Sequence, residues 1–299
     1  MDNSLLAVRD INHIYIVVER SEFMSKKVRN WIIIGIVSIS VLLLICDMRL
    51  KTVKYEVRSD KIEKRVRIVL VTDLHGCNYG KNQKNLIEAI EKEKPDVVLL
   101  GGDIFDDNVP YENSTITIKQ LAEKYPCYYV TGNHEYWSYD IDNILEIIEE
   151  CGVNYLSAEC KAIEINGQSV NICGVDDPDV IYYTNDGIPI EEQLQTVSTK
   201  IDKENFNILL SHRPELAELY QQYDYDLVLN GHAHGGQWRI PGILNGLYAP
   251  HQGVFPKYAG GRYDFKNQTM IVSRGLARES TLAPRIFNRP EIVFIDIIN

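Results

Sequence analysis

The sequence predicts an α/β fold in which two mixed β-sheets face one another with helices outside, a four-layer αββα sandwich, preceded by an N-terminal transmembrane helix. Three observations lead there. From Arg65 to Gly152, short β-branched runs alternate with segments of helical periodicity. After Gly152 the runs are mostly strand-like, and two of them meet at Asn166-Gly167, a dipeptide that favours a two-residue hairpin turn. Five runs end in short polar blocks: TDLHG (72–76), GGDIFDD (101–107), GNHE (132–135), SHRP (211–214) and GHAHGG (231–236).

Taken in order, residues 1–30 form an N-terminal extension. Met24 opens SKKVRNW and an apolar run, the layout of a signal-anchor, so translation is expected to start there and residues 1–23 to be a mis-assigned start. The uncharged run WIIIGIVSISVLLLIC (31–46) would rise about 24 Å as a helix, short of a hydrocarbon core of about 30 Å, but flanking Lys and Arg can snorkel. It is read as a single-pass anchor over 31–48, with no small-x-small cleavage site after it. Lys26, Lys27 and Arg29 precede it, and more basic residues follow, so charge counting alone points the domain inward. The short signal-like layout points outward instead, and an extracytoplasmic domain at the cell membrane is the expectation. Residues 49–64 are a linker or first strand, and 65–299 form the main domain, long enough for one well-buried core.

Within that domain RIVLV (67–71), DVVLL (96–100), CYYV (127–130), NILL (207–210) and DLVL (226–229) read as buried strands, each leading into a polar block. KNQKNLIEAIEKEK (81–94) and IDNILEIIEECG (141–152) repeat apolar residues at helical spacing, the second ending in a glycine stop. KAIEI and QSVNICGV flank the Asn-Gly turn, residues 176–206 read as a loop plus helix bordering the site, and TMIVS (269–273) and EIVFIDI (291–297) are later strands. The glycine- and aromatic-rich stretch 242–265 is either a substrate-gripping loop or a β-meander.

Ligands placed just past the carboxyl ends of adjacent strands converge at one sheet edge, so blocks distant in sequence form one pocket. Five of the seven histidines lie in these blocks beside carboxylates and an amide, the mixed N/O set that suits Mn, Fe, Zn or similar divalent ions. The glycines among them let backbone approach a metal or phosphate closely. An isolated histidine is more often a satisfied structural residue, which is the reading for His13 and His251.

Through D-x-H (Asp73, His75), G-D (Gly102, Asp103), G-N-H-E (Gly132 to Glu135), His212 and G-H-x-H (Gly231 to His234), residues 65–299 resemble the calcineurin-like metallophosphoesterases. GHAHGGQ and the tail SRGLARESTLAPRIFNRPEI (273–292) are similar to the bacterial membrane-associated branch related to YkuE and YaeI. The resemblance implies a metallo-dependent phosphatase fold with two divalent metal ions. It implies that Asp73, His75 and His234 hold the first metal, that Asp103 bridges, and that Asn133, His212 and His232 complete the second. His134 is similar to the family's catalytic histidine, and Asp106, with Asp107 beside it, is placed like the acid that orients it. Glu135 is expected to support the loop that presents His134.

Two cations about 3.5–4 Å apart can activate water and bind phosphoryl oxygens, while a histidine protonates the leaving oxygen. Arg213 and Arg274, and less strongly Arg239, are candidates to grip phosphate, with local ion pairs as their alternative. The expected function is a membrane-anchored phosphoesterase cleaving phosphodiester or pyrophosphate bonds. Its implied substrates are phosphate-ester small molecules or lipid headgroups, including lipid-linked and UDP-diacylglucosamine-like compounds. A catalytically silent metal-binding scaffold is the alternative. A net charge of −11 argues against a wide nucleic-acid surface. The cysteines are scattered without C-x-x-C pairing, and Cys127 and Cys173 are expected as small core residues.

Overall fold

The computed structural model describes residues 26–278 and 284–299, so the expected extension over 1–23, its start at Met24 and His13 lie outside the described residues. The chain divides into two units, Met1–Cys46 and Asp47–Asn299. In the first, α1 (Lys26–Ile45) is one 20-residue helix. Lys26, Lys27 and Arg29 occupy its first turn, and the rest is uncharged. Among the described residues no helix is long and apolar enough to cross a membrane. The apolar side chains of α1 nevertheless lie open, with Trp31 65% and Leu43 70% exposed.

The second unit opens with β1 (Lys51–Arg58), β2 (Val66–Val71), α2 (Lys84–Glu93), β3 (Val97–Gly101), α3 (Glu112–Ala122), β4 (Cys127–Val130), α4 (Asn133–Trp137), α5 (Ile141–Glu150) and β5 (Asn154–Tyr155). It continues through β6 (Glu159–Ile165), β7 (Gln168–Gly174), α6 (Val180–Tyr183), α7 (Ile190–Ser198), β8 (Phe206–Leu210), α8 (Ala217–Tyr220) and β9 (Leu227–Asn230). It closes with β10 (Tyr248–Ala249), β11 (Gly253–Val254), β12 (Gly261–Asp264), β13 (Thr269–Val272) and β14 (Glu291–Ile298). One sheet runs β1-β14-β2-β3-β4-β5 and the other β12-β13-β9-β8-β7-β6. Both are mixed, since β14 is parallel to β1 but antiparallel to β2, and β7 is parallel to β8 but antiparallel to β6.

Strand periodicity explains the layers. Ile68 and Leu70 of β2 point to the same side as Leu99 of β3 and meet Ile172, Ile208, Leu210 and Leu229 of the other sheet in a shared core. Val69 and Val71 point the other way, onto Leu86, Ile87 and Ile90 of α2, Ile118 of α3 and Ile144 and Ile148 of α5. The outer face of the second sheet is covered by Leu194 and Val197 of α7 and Tyr220 of α8. Each such aliphatic side chain contributes about 1.5–3 kcal/mol by leaving water, and the apolar spacing of α2 and α5 that reads as helix is what seals the outer layers.

Local signals behave as their chemistry requires. Asn166 and Gly167 adopt φ of 55° and 79° between β6 and β7, the left-handed pair that closes a two-residue hairpin. Gly152 stops α5 at φ 75°. The segment read as linker or first strand carries β1, an edge strand of the first sheet. Within 242–265 the chain forms a short β10-β11 hairpin with two residues in each strand, and the edge strand β12, rather than a long meander. Cysteine pairing departs from expectation: Cys160 and Cys173 face each other across β6 and β7 and form a disulfide, because the hairpin register set by Asn166-Gly167 places them opposite. Cys127 is a buried free thiol, as its apolar strand implies.

Candidate metal centre

The strands β2, β3, β8 and β9 end at the same edge of the two sheets, and their next residues carry the ligand blocks, while β4 leads into α4. These turns are tight. Asp73, His75, Asp103, His232 and His234 all have positive φ, between 46° and 64°, a region that side-chain-bearing residues occupy at a cost of about 1–3 kcal/mol. Backbone bonds hold them there: Asp73 N–H donates to Gly102 O and His75 N–H to Asp103 O, each at 3.0 Å. Gly102 is required by contact, since a Cβ would lie 2.7 Å from both His212 Nδ1 and Gly132 N.

Ligand atoms gather in two groups. Asp73, His75, Asp103 and His234 each offer one within 4.8 Å of the others, as do Asp103, His212 and His232, so Asp103 belongs to both. Asn133, first residue of α4, is buried with its Oδ1 lacking a partner. Asp73 Oδ2, His75 Nε2, Asp103 Oδ2 and His212 Nε2 are likewise buried without a hydrogen bond. His212 Nε2 and Asp103 Oδ2 lie 3.0 Å apart without hydrogen-bond alignment. Unpaired polar atoms in a dry pocket are costly, and cations relieve that cost, so the residues fit a dinuclear divalent centre. His212 Nδ1 lies 2.8 Å from Gly101 O and donates to it, which leaves Nε2 free to ligate.

The calcineurin-like phosphoesterase model matches residues 66–236, more than half the chain and all five strand-end blocks in full, the last of them ending at its limit. The chain belongs to the calcineurin-like phosphoesterase family. That fold works with two divalent metal ions, and the two groups sharing Asp103 are its ligand candidates here. Among relatives, an uncharacterised metallophosphoesterase of Helicobacter pylori is 32% identical over 60% of this chain and 47% of its own. A transmembrane protein with metallophosphoesterase domain from Danio rerio is 29% identical over 82% of this chain and 56% of its own. The chain thus spans about half the length of these relatives. The solved structure of NAD nucleotidase from Haemophilus influenzae shares the fold, with a TM-score of 0.51 over 72% of this chain and 45% of that one at 16% identity.

The electrostatics of this calcineurin-like phosphoesterase follow from its burial. Burial would raise the Asp103 carboxyl, but His212, then His134 and His75, outweigh it and hold it well below the usual carboxylate range. Asp73 goes the other way, raised first by burial although His212 opposes it. Burial lowers His212, yet Asp103 overcomes this and pushes it up to about 10. His232 and His234 are held well below the ordinary histidine value, chiefly by burial, and so keep a lone pair available.

His134 stands beside these groups, its ring 4.5 Å from that of His75 and its side chain 20% exposed. The acid nearest to it is Asp107, 2.6 Å from Nδ1, whereas Asp106 Oδ2 is 3.6 Å away and takes His75 Nδ1 at 2.7 Å. One-residue spacing in FDD left that choice open, because consecutive side chains of a loop aim differently. Glu135 supports the loops: its carboxylate accepts from the N–H groups of Gly132, Asp103, Ile104 and Phe105 at 2.8–3.0 Å.

The candidate phosphate-gripping arginines are already engaged. Arg213 is buried and bidentate on Asp177 at 2.5 and 2.7 Å. Arg274 pairs with Glu291 at 3.4 Å, and Arg239 donates to Asn245 and Gly235. For Arg213 and Arg274 these placements are local ion pairs, the alternative weighed against phosphate binding, whereas Arg239 is held by neutral hydrogen-bond partners. The sequence assigned His251 a structural role, yet its ring lies 5.1 Å from that of His232, and the sequence singled out nothing for Arg285, buried with Nη2 3.3 Å from His234 Nδ1. Only membership of the conspicuous 273–292 tail pointed to Arg285, and nothing in YAPHQG pointed to His251.

Proposed function

We propose that this protein is a membrane-anchored, metal-dependent phosphoesterase that hydrolyses phosphodiester or pyrophosphate bonds. The observation that carries the reading is Asp103, a buried carboxylate common to two ligand groups, with unpartnered atoms on Asp73, His75, Asp103 and His212. When bound, two divalent ions supply Lewis-acid activation of water and positive charge for phosphoryl oxygens. Asp73, His75 and His234 would hold one, Asn133, His212 and His232 the other, and Asp103 would serve both. His134 gives its proton to the leaving oxygen, oriented by Asp107, while Asp106 orients His75.

The proposed anchor is α1, which falls short of a spanning helix but whose exposed apolar side chains follow a basic first turn, with the aromatic Trp31 next to it. The name of the Danio rerio relative supports a membrane setting. Lipid-linked phosphodiesters or sugar-nucleotide pyrophosphates are then the substrate class. Exposed Trp238, Ile243, Val254 and Phe255, on a segment tied to the His234 turn by Leu247 N–H donating to Gly236 O at 2.8 Å, support an amphiphilic substrate. An extracytoplasmic domain is favoured by the Cys160–Cys173 disulfide, since such bonds persist in oxidising compartments.

The test is hydrolysis of bis(p-nitrophenyl) phosphate and the matching monoester by the full chain in detergent, metal-stripped and then reloaded with Mn, beside Asp103→Asn and His134→Ala. Metal-dependent diester turnover, lost in both variants, is expected. No metal bound by the wild-type chain would sink the reading. Membrane fractionation with protease added from each side tests the anchor, and recovery of the chain in the soluble fraction would refute it.

A further inference from the structure

Beside the metal groups lies a third constellation, Glu215, His232 and His251, which also has ligand-like spacing. It does not read as another cation site, because the guanidinium of Arg213 already occupies it. Arg213 Nη1 is 2.7 Å from His251 Nδ1 and 3.2 Å from its Nε2, and 3.7 Å from Glu215 Oε1.

Hydrogen-bond chemistry constrains the group. A guanidinium only donates, so Arg213 reaches the His251 ring as a donor, and the single lone pair on His251 Nδ1 is shared between that N–H and one from His232. His232 Nε2 is 3.0 Å from the same Nδ1 and 3.3 Å from Arg213 Nη1. If His232 Nε2 accepted from Arg213, its Nδ1 would carry the proton, and the ring could not offer Nδ1 to the Asp103 group. The shorter contact runs the other way: His232 Nε2–H donates to His251, which leaves Nδ1 as the nitrogen with a free lone pair. Glu215 cannot take that role, its Oε1 being 4.0 Å from His232 Nε2.

We infer that His251 is a positioning residue for the metal centre, accepting the Nε2 proton of His232 and thereby fixing the tautomer and ring angle that make His232 a ligand. This rests on the dinuclear reading above and adds a residue to it. The assembly is built rather than incidental. Arg213 is clamped by Asp177 and pairs with Asp179 at 3.2 Å, and Asp179 in turn accepts from Trp137 Nε1 at 2.7 Å. His251 is presented at φ 57° in the tight β10-β11 turn, where Gln252 ties to Tyr258 through both of its amide atoms. Outer partners of metal-bound histidines commonly change metal affinity about 10–100-fold.

The experiment is Mn titration of the metal-stripped full chain by calorimetry, with a thermal-shift readout, for wild type, His251→Leu and His251→Gln. Leucine removes the acceptor, whereas the glutamine oxygen can restore it. Two Mn sites in wild type, one of them weakened at least about tenfold in His251→Leu and recovered to within about threefold in His251→Gln, is the expected result. Wild-type affinity at both sites in His251→Leu overturns the proposal. So does equal weakening of both sites in the two variants, which is what mere loop damage produces. A wild-type chain that binds no Mn removes the dinuclear reading itself, and this inference with it.

Discussion

Glu135 accepts the backbone N–H of Asp103 at 2.9 Å, so the residue after His134 holds in place the peptide that carries the shared carboxylate. The same side chain also takes the N–H groups of Ile104, Phe105 and Gly132, joining the β3 and β4 loops across the site. Removing it strands several buried donors. Glu135→Ala is expected to cost about 3 kcal/mol or more, and to lower Tm by roughly 6–12 °C. Glu135→Gln keeps one acceptor but turns an NH2 toward a backbone donor, so it falls between. Differential scanning calorimetry with metal counting checks this, and an Ala variant with unchanged Tm and full metal content would contradict it.

On the proposed reading, Asp106 and Asp107 serve two functions that lie side by side. Asp106 Oδ2 meets His75 Nδ1 at 2.7 Å, and Asp107 Oδ1 meets His134 Nδ1 at 2.6 Å. Asp106→Asn is therefore expected to weaken metal binding about 10–100-fold, because it disturbs the tautomer of a ligand. Asp107→Asn should leave metal affinity alone and lower kcat about 10–1000-fold by disorienting the proton donor. Metal titration and steady-state kinetics on both variants decide it, and the opposite pattern would return the orienting role to Asp106.

How much of this was legible depended on whether a signal is local. The αββα layering follows from periodicity in β2, α2 and α5, and the ligand blocks follow from strand ends, both short-range properties. The Asn166-Gly167 turn was readable, yet the disulfide it aligns was not, since Cys160 and Cys173 become neighbours only once the hairpin register exists. The insertion of β14 between β1 and β2 joins chain segments more than two hundred residues apart, and no spacing rule announces it. Asp107, His251 and Arg213 take their roles from where loops aim their side chains, which depends on the assembled site.

Metal uptake should release protons. In the metal-free chain His212 is raised to about 10 from an ordinary 6.5 because Asp103 outweighs the effect of burial. A histidine raised on folding stabilises the fold fully below about 6.5, and that contribution is lost as pH climbs through about 10. A metal ion must displace this proton, so between those limits Mn affinity rises with pH, approaching about tenfold per unit for one proton. Calorimetric titration at several pH values, in buffers of different ionisation enthalpy, measures the proton count. A pH-independent affinity would show that His212 is already neutral.

Gly275 tests whether the Asp73 carboxylate is set by contact. The residue has φ 71°, and an added Cβ would sit 2.5 Å from Asp73 Cβ and 2.6 Å from Asp73 Oδ2. Gly275→Ala thus combines left-handed strain of about 1–2 kcal/mol with a displacement of a metal ligand. Gly152 provides the control, for its φ is 75° but nothing lies within 4 Å of an added Cβ. Gly152→Ala should show the strain alone, a loss of about 1–2 kcal/mol in the metal-free chain with unchanged Mn affinity. Gly275→Ala should show a larger loss and at least about tenfold weaker binding at one Mn site. Equal behaviour of the two variants would mean that the chain around Asp73 yields without moving the ligand, and that the turn rather than the Gly275 contact holds the carboxylate in place.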